Sequence, residues 1–265
     1  LFKLVFIIFT IISFTQCAYG KSEVIKMGFY TVEPHTIVCE KPNKPCGAMV
    51  EYVEKYLAPN LKIKIDWVGP MSILRAVEQL LKKKIDSFPL AGKIVGSSNK
   101  NFAELTKNKT HGGKWFLMTT KNFKKKEIQS SKDLYGLNIG FYHSLKSFDH
   151  PFLSDKNIKL HNMTGSRWFE RNFLMTEMKR FDSVIMPEEA PIRYMLKKYK
   201  AAHKYKVIQI PGLEIDFHFA ISNSDKAKRF KVALDKAIEK APITYEAYLE
   251  YYLKNKVHFD KFNMN

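Results

Sequence analysis

The sequence predicts an α/β protein of two lobes, each a mostly parallel sheet flanked by helices, with two hinge crossings between them. Three observations lead there. Residues 61–90 read as strand, helix and strand. The same alternation starts again after residue 131. A separable apolar segment stands ahead of both.

Leu61, Ile63, Ile65 and Trp67 alternate with polar residues, the period of a half-buried strand. Val68-Gly69-Pro70 breaks the run and Ser72 is placed to cap a helix with Ile73, Val77, Leu80 and Leu81 on one face. Lys82, Lys83 and Lys84 suit the negative end of the helix dipole. Ile85 to Phe88 then begin an extended run that Pro89 stops. Together these make a βαβ unit with a parallel pair. Ligand crevices in such sheets lie beyond the carboxyl ends of the strands, where Trp67 and the turn to Arg75 fall.

From the amino end, Lys3, the apolar residues 4–14 and Ala18-Tyr19-Gly20 read as a secretory signal peptide over residues 1–20, cleaved before Lys21. The residues ahead of Cys17 are too large for a lipid-attachment site. Residues 24–29 form a first strand and Tyr30 to His35 a loop. Met49, Tyr52, Val53 and Tyr56 mark a helix face that Pro59 ends. The loop 92–101 is rich in glycine and serine but lacks the Gly-Lys-Ser/Thr ending of a phosphate loop. Residues 114–118 are a short strand, and the basic stretch 121–131 is a crossing between lobes. In the second lobe, strands are expected at 137–142, 158–161, 181–186 and 207–210, with helices at 167–178 and 190–199. Residues 217–221 are a last strand, and Ser224 or Asp225 caps a helix carrying Phe230, Leu234 and Ala237. Tyr245, Tyr248, Leu249 and Tyr252 make a final helix face, read as packing.

An apolar fraction of 45% allows a real core. The formal charge of +18 favours anionic ligands, although its lysines are spread over solvated faces, so no nucleic-acid partner is expected. Cys39 and Cys46 remain after loss of the signal. They read as a disulfide closing a short loop, with two free thiols as the alternative. Two cysteines with no nearby partner are too few for a metal, and no cofactor motif is present.

Three stretches resemble the family-three extracellular solute-binding proteins, which have the type II periplasmic binding fold. Residues 74–86 are similar to the family's helix leading into a strand-start aspartate, here Asp86. Residues 130–140, SSKDLYGLNIG, look like the opening of the family's second lobe. Residues 178–185 resemble its strand with an aspartate at Asp182. The resemblance implies that lobe one is 21–118 plus 217–265 and lobe two is 122–212, with hinges near 119–121 and 213–216. It implies a monomeric periplasmic receptor that traps a small-molecule ligand, polar and anionic or amino-acid-like, for an inner-membrane ABC permease or a sensor. Amino-acid binders of this family grip the α-carboxylate with an arginine where this chain has Lys100. The acid that holds the α-amino group falls near Glu188. Arg75, after a "W-x-x-P" step, is the preferred anion contact, with a surface arginine as the alternative.

Position adds the remaining candidates. Tyr30 and His35 follow the first strand, Trp67 the second, and Tyr142, His143 and Ser144 the strand of 137–142. No Ser/His/Asp set, paired carboxylates or metal-ligand cluster is readable from spacing, so no catalytic residue and no metal site are expected. Two alternatives stay open: a dehydratase-like enzyme on the same scaffold, with Glu188 as its acid, and a sensing or structural module. The receptor reading requires two halves with a gap facing Trp67 and Glu188, and separate sheets rather than one uninterrupted sheet.

Overall fold

The computed structural model describes residues 23–39, 45–92, 104–142 and 151–257, so the expected signal peptide lies outside them. In chain order come β1 (Val24–Gly28), the short antiparallel pair β2 (Ile37–Val38) and β3 (Pro45–Cys46), α1 (Ala48–Tyr52), β4 (Lys64–Val68), α2 (Ile73–Leu81), β5 (Ser87–Gly92) and β6 (Glu104–Leu105). The long β7 (His111–Thr120) leads to β8 (Asn138–Tyr142), the one-turn α3 (Pro151–Ser154), β9 (Lys159–Met163), α4 (Trp168–Glu177), β10 (Ser183–Met186) and α5 (Ala190–Lys198). Then β11 (Tyr205–Ile221) returns through the sheet, followed by α6 (Asp225–Glu239) and α7 (Tyr245–Asn255).

The main sheet runs β4-β1-β5-β11-β7-β10-β8-β9, with β6 on β11. β1 pairs in parallel with β4 and β5, and β8 in parallel with β9 and β10. Between these two parallel blocks stand β7 and β11, antiparallel to each other and to their outer neighbours. The expected pair of separate sheets is therefore one hydrogen-bonded path. Two crossing strands that keep a ladder on both sides satisfy their own backbone donors and acceptors, so the path is continuous while each block remains parallel.

Alternation sorts the second block onto two faces. Trp115 and Leu117 of β7, Ile139 and Phe141 of β8 and Ile185 of β10 enter one core with Ile208, Ile210 and Leu213. Met118, Tyr142, Val184 and Met186 point the other way, into the larger core that also holds Ile25, Met27 and Tyr52 of the amino-terminal segments and Phe219 of β11. Helix starts follow the expected caps. Ser72 Oγ accepts from the Arg75 N–H at 3.2 Å, and Ser224 Oγ accepts from the Ala227 N–H at 3.1 Å.

Three boundaries differ from the sequence reading. α1 continues through a wider π turn at Val53–Leu57 and a last turn at Ala58–Leu61, so Leu61 ends a helix rather than opening a strand. Lys62, left-handed at φ 52°, turns the chain out. Pro89 does not stop β5, because the ladder between β5 and β11 is irregular there, where no donor is needed from it. The strands expected at 207–210 and 217–221 are one, β11. Residues 210–213 stand opposite Trp115 alone in the β7 ladder, and Gly212 at φ 73° accommodates the detour. Cys39 and Cys46 are bonded to each other, beside β2 and β3. Among the described residues no helix is long and apolar enough to cross a membrane.

Candidate functional site

Three segments meet at the start of β7. The loop after β1 carries His35. Its N–H donates to the Val32 carbonyl at 2.8 Å and its own carbonyl accepts from the Met49 N–H at 2.9 Å, which ties the loop to the start of α1. β7 begins with His111, and Glu188 lies two residues beyond β10. Glu188 Oε1 is 2.9 Å from His35 Nε2, and Glu188 Oε2 is 3.2 Å from His111 Nε2. The two imidazoles stack with centroids 5.5 Å apart, and His111 also stacks on Phe217 at 4.6 Å. All three side chains are buried.

Close approach of the backbones makes this possible. A Cβ on Gly113 would stand 2.3 Å from the Pro187 carbonyl oxygen and 2.8 Å from the Phe217 ring. Only a residue without a side chain lets β7 pass that near the segment bearing Glu188.

The outer ring nitrogens have partners of their own. His35 Nδ1 lies 2.5 Å from the Tyr245 hydroxyl and His111 Nδ1 lies 3.0 Å from Thr110 Oγ1. Burial opposes the charge on Glu188, but the two imidazoles outweigh it and hold the carboxyl well below the usual range. Burial pushes the Tyr245 hydroxyl far up, and the neighbouring Glu188 adds to the effect. On one side His111 and Glu188 border a cleft of about 460 Å³, rimmed by Lys109, Lys114, Arg193, Asp216 and Glu246.

A second charged group lies on the same loop. Lys198 of α5 bridges Glu33 at 3.0 Å and Glu170 of α4 at 2.8 Å, and the Tyr199 hydroxyl donates to Glu170 at 2.7 Å. Burial raises the pKa of Glu33 despite Lys198. For Glu170 burial also pushes upward, yet the hydrogen bonds from Lys198 and Tyr199 leave the carboxyl below its ordinary value.

Of the residues singled out from the sequence, the structure brings His35 and Glu188 into contact. Tyr30 is buried nearby and its hydroxyl donates to the Leu90 carbonyl at 2.5 Å. Tyr142 is buried against Trp168, with ring centroids 4.6 Å apart. Trp67 meets Phe29 edge-on, and its Nε1–H donates to Glu54 at 3.0 Å. Arg75 is exposed on α2 and paired with Glu78 at 2.9 Å. Lys100, His143 and Ser144 lie outside the described residues. Sequence reasoning missed His111, Thr110 and Tyr245. The only local signal for His111 was a buried-strand pattern after Gly112-Gly113, and 77 residues separate it from Glu188.

No family model matches the chain, and no curated protein matches it. Solved structures do. An ancestral arginine-binding protein bound to glutamine superposes with a TM-score of 0.68 at 17% identity, over 88% of this chain and 98% of that one. An amino-acid ABC transporter substrate-binding protein from Streptococcus pneumoniae, bound to L-arginine, gives 0.66 at 15% identity, over 87% and 92%. A periplasmic domain of Bordetella pertussis BvgS gives 0.67 at 12% identity, over 86% and 93%. At these identities the likeness shows the fold, the two-lobed periplasmic-binding architecture that the sequence resembles.

Proposed function

We propose that the protein is an extracytoplasmic solute-binding receptor. In this reading lobe one comprises residues 21–118 and 217–265, lobe two residues 122–212, and the hinges lie near 119–121 and 213–216. A small polar solute, anionic or amino-acid-like, is held between the lobes and presented to an inner-membrane ABC permease. The observation that carries the reading is the meeting of two strand-end loops. The loop after β1 and the loop after β10 come from different blocks and touch through His35 and Glu188 at 2.9 Å. Binding crevices of open α/β sheets form at such strand ends. Tyr30, Trp67, Tyr142 and Glu188 supply the inner contacts, and Lys100, His143 and Ser144, expected as further contacts, lie outside the described residues. Arg75 joins them by exchanging Glu78 for a ligand carboxylate, the bidentate grip that lysine does not provide. The Cys39–Cys46 bond agrees with an oxidising compartment, in keeping with export. The reading requires no chemistry.

A second reading, a sensing module, draws support from Glu188. The acid placed to hold an α-amino group already faces two imidazoles of the same chain.

A thermal-shift panel of amino acids, organic acids and phosphorylated metabolites tests the receptor reading. One chemical class should raise the melting temperature saturably, and Arg75→Ala should abolish the rise without unfolding the protein. No saturable shift with any member of the panel would overturn it. Turnover of the bound solute would move the assignment to the dehydratase-like alternative.

A further inference from the structure

We propose that His35, His111 and Glu188 form a binding site for a divalent first-row transition metal of the zinc class. The first argument is donor chemistry. Two imidazole nitrogens and one carboxylate, all buried and with their ligand atoms within 4.8 Å of one another, are a ligand set that zinc accepts in three-protein-ligand sites.

The second argument is the placement of protons. The Thr110 hydroxyl has one hydrogen, and it donates to the Phe217 carbonyl at 3.0 Å. Towards His111 Nδ1, at 3.0 Å, Thr110 Oγ1 is then an acceptor, so that ring nitrogen carries the hydrogen. In a neutral His111 the lone pair therefore sits on Nε2, aimed at Glu188 Oε2 3.2 Å away. His35 Nε2 is fully buried, has no aligned hydrogen-bond partner and lies 2.9 Å from Glu188 Oε1. A neutral His111 thus turns a lone pair toward the carboxylate, beside a His35 Nε2 that has no aligned partner, and a positive charge placed among the three groups favours both contacts. A metal ion supplies that charge.

The third argument is distance. Bonds of 2.0–2.1 Å arranged tetrahedrally place neighbouring ligand atoms about 3.4 Å apart. With one ligand atom taken from each residue the three lie within 4.8 Å of one another, so small side-chain rotations bring them to that spacing. The surrounding hydroxyls complete the arrangement. Tyr245 and Thr110 hold the outer ring nitrogens of the two histidines, the orienting role that second partners play around metal-bound imidazole. With two neutral imidazoles and one carboxylate the site keeps a net positive charge. His111 and Glu188 also border the cleft, from which water or an anionic group would complete the ligand set.

The site does not depend on the solute reading, and its test separates the two. The exported form of the protein, stripped with a chelator, is titrated with Zn²⁺ alone and followed by thermal melting. Co²⁺ is titrated in parallel and followed by its visible absorption. The expected result is a saturable one-to-one rise in melting temperature with Zn²⁺, none with Mg²⁺, and the intense bands of four-coordinate cobalt. His111→Gln and Glu188→Gln should lose both responses, and circular dichroism of the metal-free variants checks that they fold. Tyr245→Phe should keep the response with about tenfold weaker affinity, and the exposed-histidine control His161→Gln should match the parent. Absence of any saturable Zn²⁺ response in the parent would overturn the proposal. So would a response that survives unchanged in a folded His111→Gln protein, or one removed by His161→Gln. Stabilisation by acid alone, without a metal response, would assign the cluster to protons instead.

Discussion

Glu33 and His35 stand two residues apart on one loop, and each anchors a charged group, but the two groups balance their charge in different ways. Glu33 and Glu170 share Lys198, a cation at any ordinary pH that brings three donors. Glu188 shares two imidazoles, whose charge depends on what is bound to them. The first group is complete as it stands. The second changes character with protons or a metal, which is why the loop's structural and functional roles divide between neighbouring residues.

Three substitutions sharpen or break this contrast. The largest effect is expected for Lys198→Met, which leaves two carboxylates facing each other. A loss of about 3 kcal/mol near neutral pH is expected in urea denaturation, at the low end for a broken buried pair because Lys198 remains 22% exposed. The sign with pH follows from Glu33, whose folded pKa is raised. Its contribution is most favourable below the ordinary carboxylate pKa and is lost as pH rises through the folded value. In the variant the two carboxylates repel until they are protonated, and Glu170, held low through Lys198 in the parent, loses that contribution in acid, so the deficit should shrink there. An equal deficit at pH 7 and pH 4 would break the comparison.

Glu188→Gln comes next, at about 2 kcal/mol near neutral pH, smaller because the substituted amide still offers both imidazoles a hydrogen-bonding group. Glu188 has a depressed folded pKa, so its contribution is present above the ordinary carboxylate pKa and lost as pH falls through the range below it. Stability curves of parent and variant should converge in acid, with His35, His111 and Tyr245 the groups that face the substituted position. A gap that widens below pH 5 would reject this account. The smallest effect is expected for Tyr245→Phe, about 1 kcal/mol, for the hydrogen bond withdrawn from His35 Nδ1. No measurable change in chemical denaturation would show that the hydroxyl contact contributes nothing.

The architecture was readable where the period of the side chains is local. The helix after Ser72, the strand at Asn138–Tyr142 and the apolar faces of α4 and α6 follow from spacing and caps alone. The joins were less readable. The runs at 207–210 and 217–221 read as two strands, yet a detour in one strand joins them because β7 supplies partners on both sides. Leu61 and Ile63 fit a strand's alternation, but Leu61 belongs to the end of a helix, and both pack on the same core. The site divides along the same line. His35 was singled out because it follows a strand, and Glu188 through the family resemblance. Thr110, His111 and Tyr245 were not, since 210 residues separate His35 from the hydroxyl beside it and no local pattern records that contact.

The tightest tolerance in this protein falls where a side chain is missing. At Gly113 even one added methyl would press on the Pro187 carbonyl, one residue before Glu188, and on the ring that backs His111. The neighbouring peptide would have to retreat, carrying the carboxylate away from both imidazoles with all three side chains still present in the chain. Position 113 therefore works as a spacer: it sets how far apart two distant parts of the chain stand, and it offers a way to loosen their grip without removing any group that makes it.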